Sequence, residues 1–190
     1  MTRFTKQAIC ASFTKLLNDR PLSQITVKDI VDDCGINRKT FYYYYQDIYA
    51  LIDDLFKSDL VRIKETLPTD VEWPEAHKAL ANELLKNKTA VLHIYHSMDD
   101  TRLEQTAYEI GMHTIPKSIR ARLGNMEVED SDLNLIASLS ASALAGFLVR
   151  WVHDGMKDNP NTMIDRAAAV MEGTTELALA NAAKLKMNQK

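Results

Sequence analysis

Apolar residues recur at steps of three to five along most of the chain, and no period-two run of β-branched residues stands between turn residues. That pattern predicts an all-α protein. Phe4, Ile9, Phe13, Leu16 and Leu17 form the stripe of a first amphipathic helix, closed by Asn18-Asp19-Arg20-Pro21. Thr26 is placed to cap a second helix, with Asp29 reaching back to it; that helix buries Val27, Ile30 and Val31 and stops at Gly35. Asn37 can cap a short third helix running to about residue 44. Asp47 can cap a long fourth one carrying Leu51, Ile52, Leu55, Leu60, Val61 and Ile63. The pattern breaks over residues 68–74, between two prolines. Beyond it, helices are predicted near 75–87, 89–98, 101–113, 116–123, 131–156 and 161–186.

These elements divide the chain into a three-helix head over residues 1–46, a connecting helix over 47–66 and a helical body over 67–190. With 46% hydrophobic and 26% charged residues, the 190-residue chain reads as globular, not disordered. Its longest apolar stretches are interrupted by serines and shorter than a membrane-spanning helix needs, and the first residues lack the apolar core of a signal peptide, so a cytoplasmic protein without a membrane partner is expected. Cys10 and Cys34 lie beside apolar neighbours and read as buried free thiols. Net charge is −3, which by itself does not advertise nucleic-acid binding. Its distribution does more: residues 1–50 hold seven Lys/Arg against five Asp/Glu, while the rest holds 16 against 21. A weakly basic head on an acidic body orients the head toward phosphates.

The most informative segment runs from Thr26 to Leu51. Two short helices joined by a tight turn are what a major-groove reader requires, and Gly35 supplies the residue that tolerates left-handed backbone angles there. Ile36 can plug the angle between the helices. After it, Asn37-Arg38-Lys39-Thr40 sets four polar side chains on the first turn of the second helix, where base edges come within reach. Arg38 can fork onto guanine and Lys39 can meet a base or a phosphate. In the run Phe41-Tyr42-Tyr43-Tyr44-Tyr45, Phe41 and Tyr45 share one face and point to the core, while Tyr42, Tyr43 and Tyr44 turn progressively outward, with hydroxyls able to donate to phosphates.

The segment from Ile25 to Tyr45, with its Thr26, Gly35-Ile36, Thr40-Phe41-Tyr42 and closing Tyr44-Tyr45, resembles the signature of the TetR family of regulators. The resemblance covers about the first 65 residues. It implies phosphate contacts from Thr26, Tyr42 and Tyr44, and base or groove contacts from Arg38, Lys39, Thr40 and Tyr43. Three positions depart from the pattern. Cys34 replaces alanine, Tyr45 replaces phenylalanine and brings a hydroxyl that needs a partner, and Ile48 stands where many members carry a phosphate-binding lysine. Phosphate affinity is then expected to rest on Lys28, Arg3 and Lys6.

In the body, the predicted 131–156 helix is apolar on two faces. One stripe is Leu133, Ile136, Ser140, Ala143 or Leu144, Phe147 and Trp151; the other is Leu135, Leu139, Ser142, Gly146 and Val149. A helix of that kind must be covered on both sides: one side can be the domain core and the other a partner subunit, the alternative being a monomeric bundle core. The TetR resemblance implies the same homodimer, which would read a near-palindromic double-stranded DNA operator. It also implies a small-molecule effector pocket in the body, for which His96, Tyr108, Met112, Phe147 and Trp151 are the candidate ligand contacts. The stretch from Trp151 to Pro160 resembles the subgroup that includes activators of dihydroxyacetone-kinase operons. His93 and His96 have a metal-compatible i, i+3 spacing, but no second pair or carboxylate on that face supports a metal, and no cofactor is expected. Without a phosphate-binding glycine loop or a nucleophile elbow, the chain is not read as an enzyme. The function expected is a sequence-specific DNA-binding transcriptional regulator, a repressor under effector control. The alternative is a DNA-binding co-activator or adaptor whose body docks a partner protein.

Overall fold

A computed structural model describes residues 2–68, 71–97 and 101–187, and every regular element among them is helical. In order these are α1 (Thr2–Asp19), a 3-10 turn (Leu22–Gln24), α2 (Val27–Cys34), α3 (Arg38–Tyr44), α4 (Ile48–Thr66), α5 (Trp73–Lys86), α6 (Lys88–Ser97), α7 (Arg102–Arg122), α8 (Asp130–His153), α9 (Pro160–Val170) and α10 (Thr174–Met187). Met98, Asp99 and Asp100, at the expected junction of two body helices, lie outside the described residues.

The head closes around Ile9, Phe13 and Leu17 of α1, Ile30 and Val31 of α2 and Phe41 of α3. Phe4 does not join them: it is 79% exposed. Five steps before Ile9 place it about 140° round the helix, off the buried stripe. Leu51 and Ile52 of α4 complete this core, as do Ala90 and Ile94 of α6. About two to three turns further on, Leu60 and Ile63 of the same α4 enter the core of the body, with Leu80, Ile110, Leu148 and Trp151. One rigid helix thus belongs to both cores.

In the body, α7 runs unbroken through Pro116, where two helices were expected. A proline in a helix interior removes one backbone hydrogen bond and costs about 3 kcal/mol. Here tertiary burial outweighs it: Ile110, Gly111, Thr114, Ile115 and Ile119 of α7 are all buried. The α7/α8 crossing is tight because small residues meet there. A Cβ built on Gly111 would fall 3.0 Å from Ala141 Cβ. The buried face of α8 accordingly follows Leu133, Ala137, Ala141, Ala145, Leu148 and Val152. It is an alanine stripe that neither predicted stripe singled out, since alanine's small apolar area gives a weak periodic signal. Of the first predicted stripe, Leu133 and Trp151 are buried and Phe147 is exposed; of the second, Leu135 and Leu139 are exposed.

By length and composition α8 is apolar enough to cross a membrane, which the broken apolar stretches had not suggested. Its one side is committed to α7, and the other is uncovered in the single chain. The helix stops at His153, short of residue 156, where Gly155 turns left-handed (φ +83°) and the Met156 amide closes back on Trp151 O. The expected last helix is two helices. The Met171 amide ends α9 on Ala167 O, and Gly173 (φ +78°) redirects the chain into α10.

Candidate nucleic-acid interface

The presentation of α3 begins with its neighbours' caps. Thr26 Oγ accepts from the Asp29 amide at 3.2 Å, while the Thr26 amide donates to Asp29 Oδ2 at 2.8 Å, a full capping box for α2. The Thr26 hydroxyl itself donates to that carboxylate at 2.6 Å. These hydrogen bonds from Thr26, with Arg20 at 3.2 Å, hold the Asp29 carboxyl below its ordinary range. Gly35 then takes φ +69° and ends α2 on Val31 O. At the start of α3, Asn37 Oδ1 accepts from both the amide and the hydroxyl of Thr40, at 2.8 and 3.0 Å. Asn37 and Thr40 therefore fix the helix start together, leaving the Asn37 side-chain nitrogen without a partner among the described residues.

Arg38 and Lys39 stand on the first turn of α3, exposed, with neither ion pair nor hydrogen bond among the described residues. Two cations at the positive end of a helix dipole, with no acid in that turn, are electrostatically unfavourable in the free protein. An anion brought to this face removes the conflict. Tyr42 and Tyr43 flank them, Tyr43 being 76% exposed, while Tyr44 is half-buried against the head core. Tyr42 stands edge-on to Phe41 at 5.6 Å, and Tyr43 edge-on to Tyr44 at 4.9 Å, so each ring is braced by a neighbour. Lys28 is exposed on α2 and makes a loose 3.7 Å contact with Asp32.

One expected phosphate contact, Lys6, looks different in three dimensions. Lys6 lies against Asp54, 3.1 Å from both carboxylate oxygens, with its ammonium 5.3 Å from the centre of the Tyr45 ring. It is a structural cation of the head. Tyr45 itself is buried and donates its hydroxyl to Asp54 Oδ2 at 2.7 Å, which is the partner its extra oxygen requires. Burial, reinforced by that bond, pushes the Tyr45 phenol far above its ordinary range. For Asp54 burial pulls upward, but the bonds from Tyr45 and Lys6 outweigh it and hold the carboxyl low. Sequence reading missed Asp54, whose only signal was its spacing nine residues after the unusual tyrosine. Cys10 Sγ lies 3.7 Å from the same hydroxyl, and both thiols, Cys10 and Cys34, are free and raised by burial. Ile48, in the lysine's place, is half-buried against the head core, and Asp47 caps α4 through the Ala50 amide at 2.8 Å. The Arg3 side chain lies outside the described residues.

Polar contacts among the described residues tie the head and the connecting helix to the body. His93 Nδ1 on α6 donates to Leu17 O at 2.7 Å, which gives this histidine a structural task unlike that of exposed His96. Arg102 at the start of α7 pairs with Asp53 of α4, and Lys64 pairs with Glu109 at 3.3 Å.

The five candidate ligand residues do not converge. Tyr108 lines a cleft of about 540 Å³ between α4, α7 and α8. Phe147 lines a separate groove of about 910 Å³ beside the α9/α10 bend. Trp151 is buried with its indole N–H on Asp158 O at 3.0 Å, Met112 of α7 packs half-buried against the core that α7 shares with α8 and α10, and His96 is exposed at the end of α6. Helical spacing shows which residues share a face, not which cavity that face meets.

A family profile described as "Bacterial regulatory proteins, tetR family" matches residues 11–55, and one described as "Transcriptional regulator C-terminal region" matches residues 71–173. Among curated proteins, the chain is 37% identical over 67 residues to the HTH-type transcriptional regulator EthR of Mycobacterium tuberculosis H37Rv, covering 35% of this chain and 31% of EthR. It is 32% identical over 59 residues to the HTH-type dhaKLM operon transcriptional activator DhaS of Lactococcus lactis subsp. lactis IL1403, covering 31% of this chain and 32% of DhaS. These matches span about a third of each relative's length. Solved structures with the same fold include the dihydroxyacetone kinase operon activator DhaS, at a TM-score of 0.72 and 19% identity over 91% of this chain and 97% of that one. Another is the TetR family repressor AlkX from Dietzia sp. strain DQ12-45-1b, at 0.57 and 17% over the same shares. The chain belongs to the TetR family of bacterial transcriptional regulators.

Proposed function

We propose that this protein is a cytoplasmic, homodimeric repressor that binds a near-palindromic double-stranded DNA site through α3 and releases it when a small molecule occupies the body. The carrying observation is the first turn of α3. There Arg38 and Lys39 project unpaired from the positive end of a helix, between Asn37 and Thr40 and beside exposed Tyr42 and Tyr43. Arg38 and Lys39 read bases, with Thr40 and Tyr43 at the groove; Tyr42, Tyr44 and Lys28 meet phosphates. Because the Thr26 hydroxyl hydrogen is engaged by Asp29, we assign Thr26 to positioning α2, with any phosphate contact requiring that bond to open.

The homodimer reading rests on the uncovered side of α8 and α10. Leu139 is 62% and Leu177 63% exposed, and Leu135 and Leu185 are exposed with them. Ser142, Ala143 and Gly146 between them let a second helix approach closely. The adaptor alternative also has support: DhaS, which shares the fold, is described as an activator. Selection of random DNA by the purified protein tests the reading. We expect a near-palindromic site, lost when Arg38 and Lys39 are both replaced by alanine. Recovery of no preferred sequence would overturn it.

A further inference from the structure

We propose that Asn37 and Thr40 together select an adenine in the major groove, Asn37 Nδ2 donating to its N7 and Thr40 Oγ accepting from its N6 amino group; this rests on the reading of α3 as the base-contacting helix above and names a base that it selects.

The cap of α3 sets the polarity of both side chains. The Thr40 backbone amide can only donate, and it lies 2.8 Å from Asn37 Oδ1, so the carboxamide is held with its oxygen on that bond and its nitrogen free of it. The Thr40 hydroxyl spends its single hydrogen on the same Oδ1, at 3.0 Å. What remains is one-sided for each residue. Asn37 keeps the N–H donors of Nδ2, without a partner among the described residues, and Thr40 keeps only the lone pairs of Oγ. Asn37 is exposed and Thr40 half-buried. Aspartate would cap the helix as well as asparagine does, but it would offer no donor.

The base edges then differ in how they meet this pair. In the major groove guanine presents acceptors, cytosine a donor, thymine an acceptor beside its methyl group, and adenine an acceptor beside a donor. Adenine alone satisfies both residues at once. Guanine sets O6 against Thr40 Oγ, acceptor on acceptor. Cytosine leaves Asn37 Nδ2 without an acceptor, and thymine leaves Thr40 Oγ without a donor. An asparagine with no other duty reads adenine through its own oxygen and nitrogen. Here the cap occupies the oxygen, and Thr40 Oγ, bonded to that same oxygen, takes over its part. Arg38 and Lys39 carry donors only, which suits guanine, so Thr40 brings to the first turn of α3 an acceptor that its cations lack.

The test uses the purified full chain and the site obtained by selection from random DNA, with binding followed by fluorescence anisotropy. One adenine in each half-site should be required, its exchange for guanine weakening binding about tenfold, the scale of a two-bond base contact. At that position 7-deazaadenine lacks N7, and 2-aminopurine lacks the N6 amino group while still pairing with thymine. Each should weaken binding about fivefold, the scale of one hydrogen bond. The two sensitivities then divide by residue. N37D keeps the cap without the donor, so it should accept 7-deazaadenine as well as adenine and remain sensitive to 2-aminopurine. T40V should do the reverse. Thermal melting verifies that each variant folds, and the base analogues act on the unaltered protein, so the outcome does not depend on the variants. A selected site with no required adenine, an adenine from which N7 or the N6 amino group can be removed without loss, or folded variants that keep both sensitivities would overturn the proposed contact. If Arg38→Ala still relaxes base preference in that case, the reading of α3 survives. Selection of no preferred sequence would overturn that reading, and the adenine contact with it.

Discussion

The Tyr45 hydroxyl donates to Asp54 Oδ2 at 2.7 Å, joining the end of α3 to the helix that leads into the body. Lys6 approaches the same carboxylate from α1, so one acid holds three helices in register. Tyr45→Phe removes the bond and leaves Asp54 to Lys6. The variant should lose about 1.5–3 kcal/mol of stability by urea titration, the scale of one hydrogen bond to a charged group. An unchanged midpoint would mean that the bond contributes nothing to holding the head together.

The close crossing of α7 and α8 predicts the sign of a conservative change. Gly111→Ala would gain helix propensity of about 1 kcal/mol, but its methyl would meet Ala141 Cβ at 3.0 Å and Ala141 Cα at 3.2 Å. Those atoms are helix-bound and can move only if α8 moves. Net destabilisation by about 1–3 kcal/mol is expected, as for other overpacked cores. Ala141→Gly in the same chain should restore part of it, and simple additivity of the two changes would contradict the contact.

His77 makes the body sensitive to acid. It is buried, its Nδ1 donating to Trp73 O at 2.8 Å and its Nε2 without a partner among the described residues. Burial lowers its pKa, against the weaker opposing effect of the Trp73 carbonyl. The folded protein therefore keeps this ring neutral while the unfolded chain takes up a proton near pH 6.5, so stability falls as pH drops below about 6.5. The slope should reach at most about 1.4 kcal/mol per pH unit for this group. His113 is lowered in the same direction, by partial burial and then by Lys117 and Lys64, and adds to the slope. His77→Phe should flatten the dependence between pH 5 and 7, leaving the smaller His113 part (values spanning the ordinary histidine range, about 6.5). A pH profile unaltered by that substitution would remove His77 from the account.

The uncovered face of α8 gives an oligomeric prediction. Leu139→Glu sets a charge in the middle of the proposed subunit interface without touching the face that packs on α7. Sedimentation should show a folded monomer with strongly reduced operator affinity, because two linked heads bind far more tightly than one. A stable dimer in this variant would move the interface elsewhere.

Much of the head was legible because its determinants are local. The Thr26 and Asn37 caps, the left-handed Gly35 and the Phe41/Tyr45 core pair each depend on residues within a few positions of one another. What escaped was decided at long range. Lys6 reads as a free arm cation until the fold brings Asp54 beside it. Pro116 reads as a helix break until the burial of its neighbours outweighs the lost bond. Gly173 lies in a run that reads as continuous helix, and its left-handed conformation divides α9 from α10. The candidate ligand residues scattered because Tyr108 and Phe147 face different cavities on either side of the body.

The central claim, that α3 reads DNA through unpaired cations on its first turn, is tested most directly by Arg38→Ala against the selected operator and single-base variants of it. The account predicts an affinity loss of about 1–3 kcal/mol for the preferred site, with relaxed discrimination at one base position in each half-site. Lys28→Ala in the same experiment should weaken all sequences alike and make the salt dependence shallower. Unchanged affinity and unchanged base preference for Arg38→Ala would contradict the account.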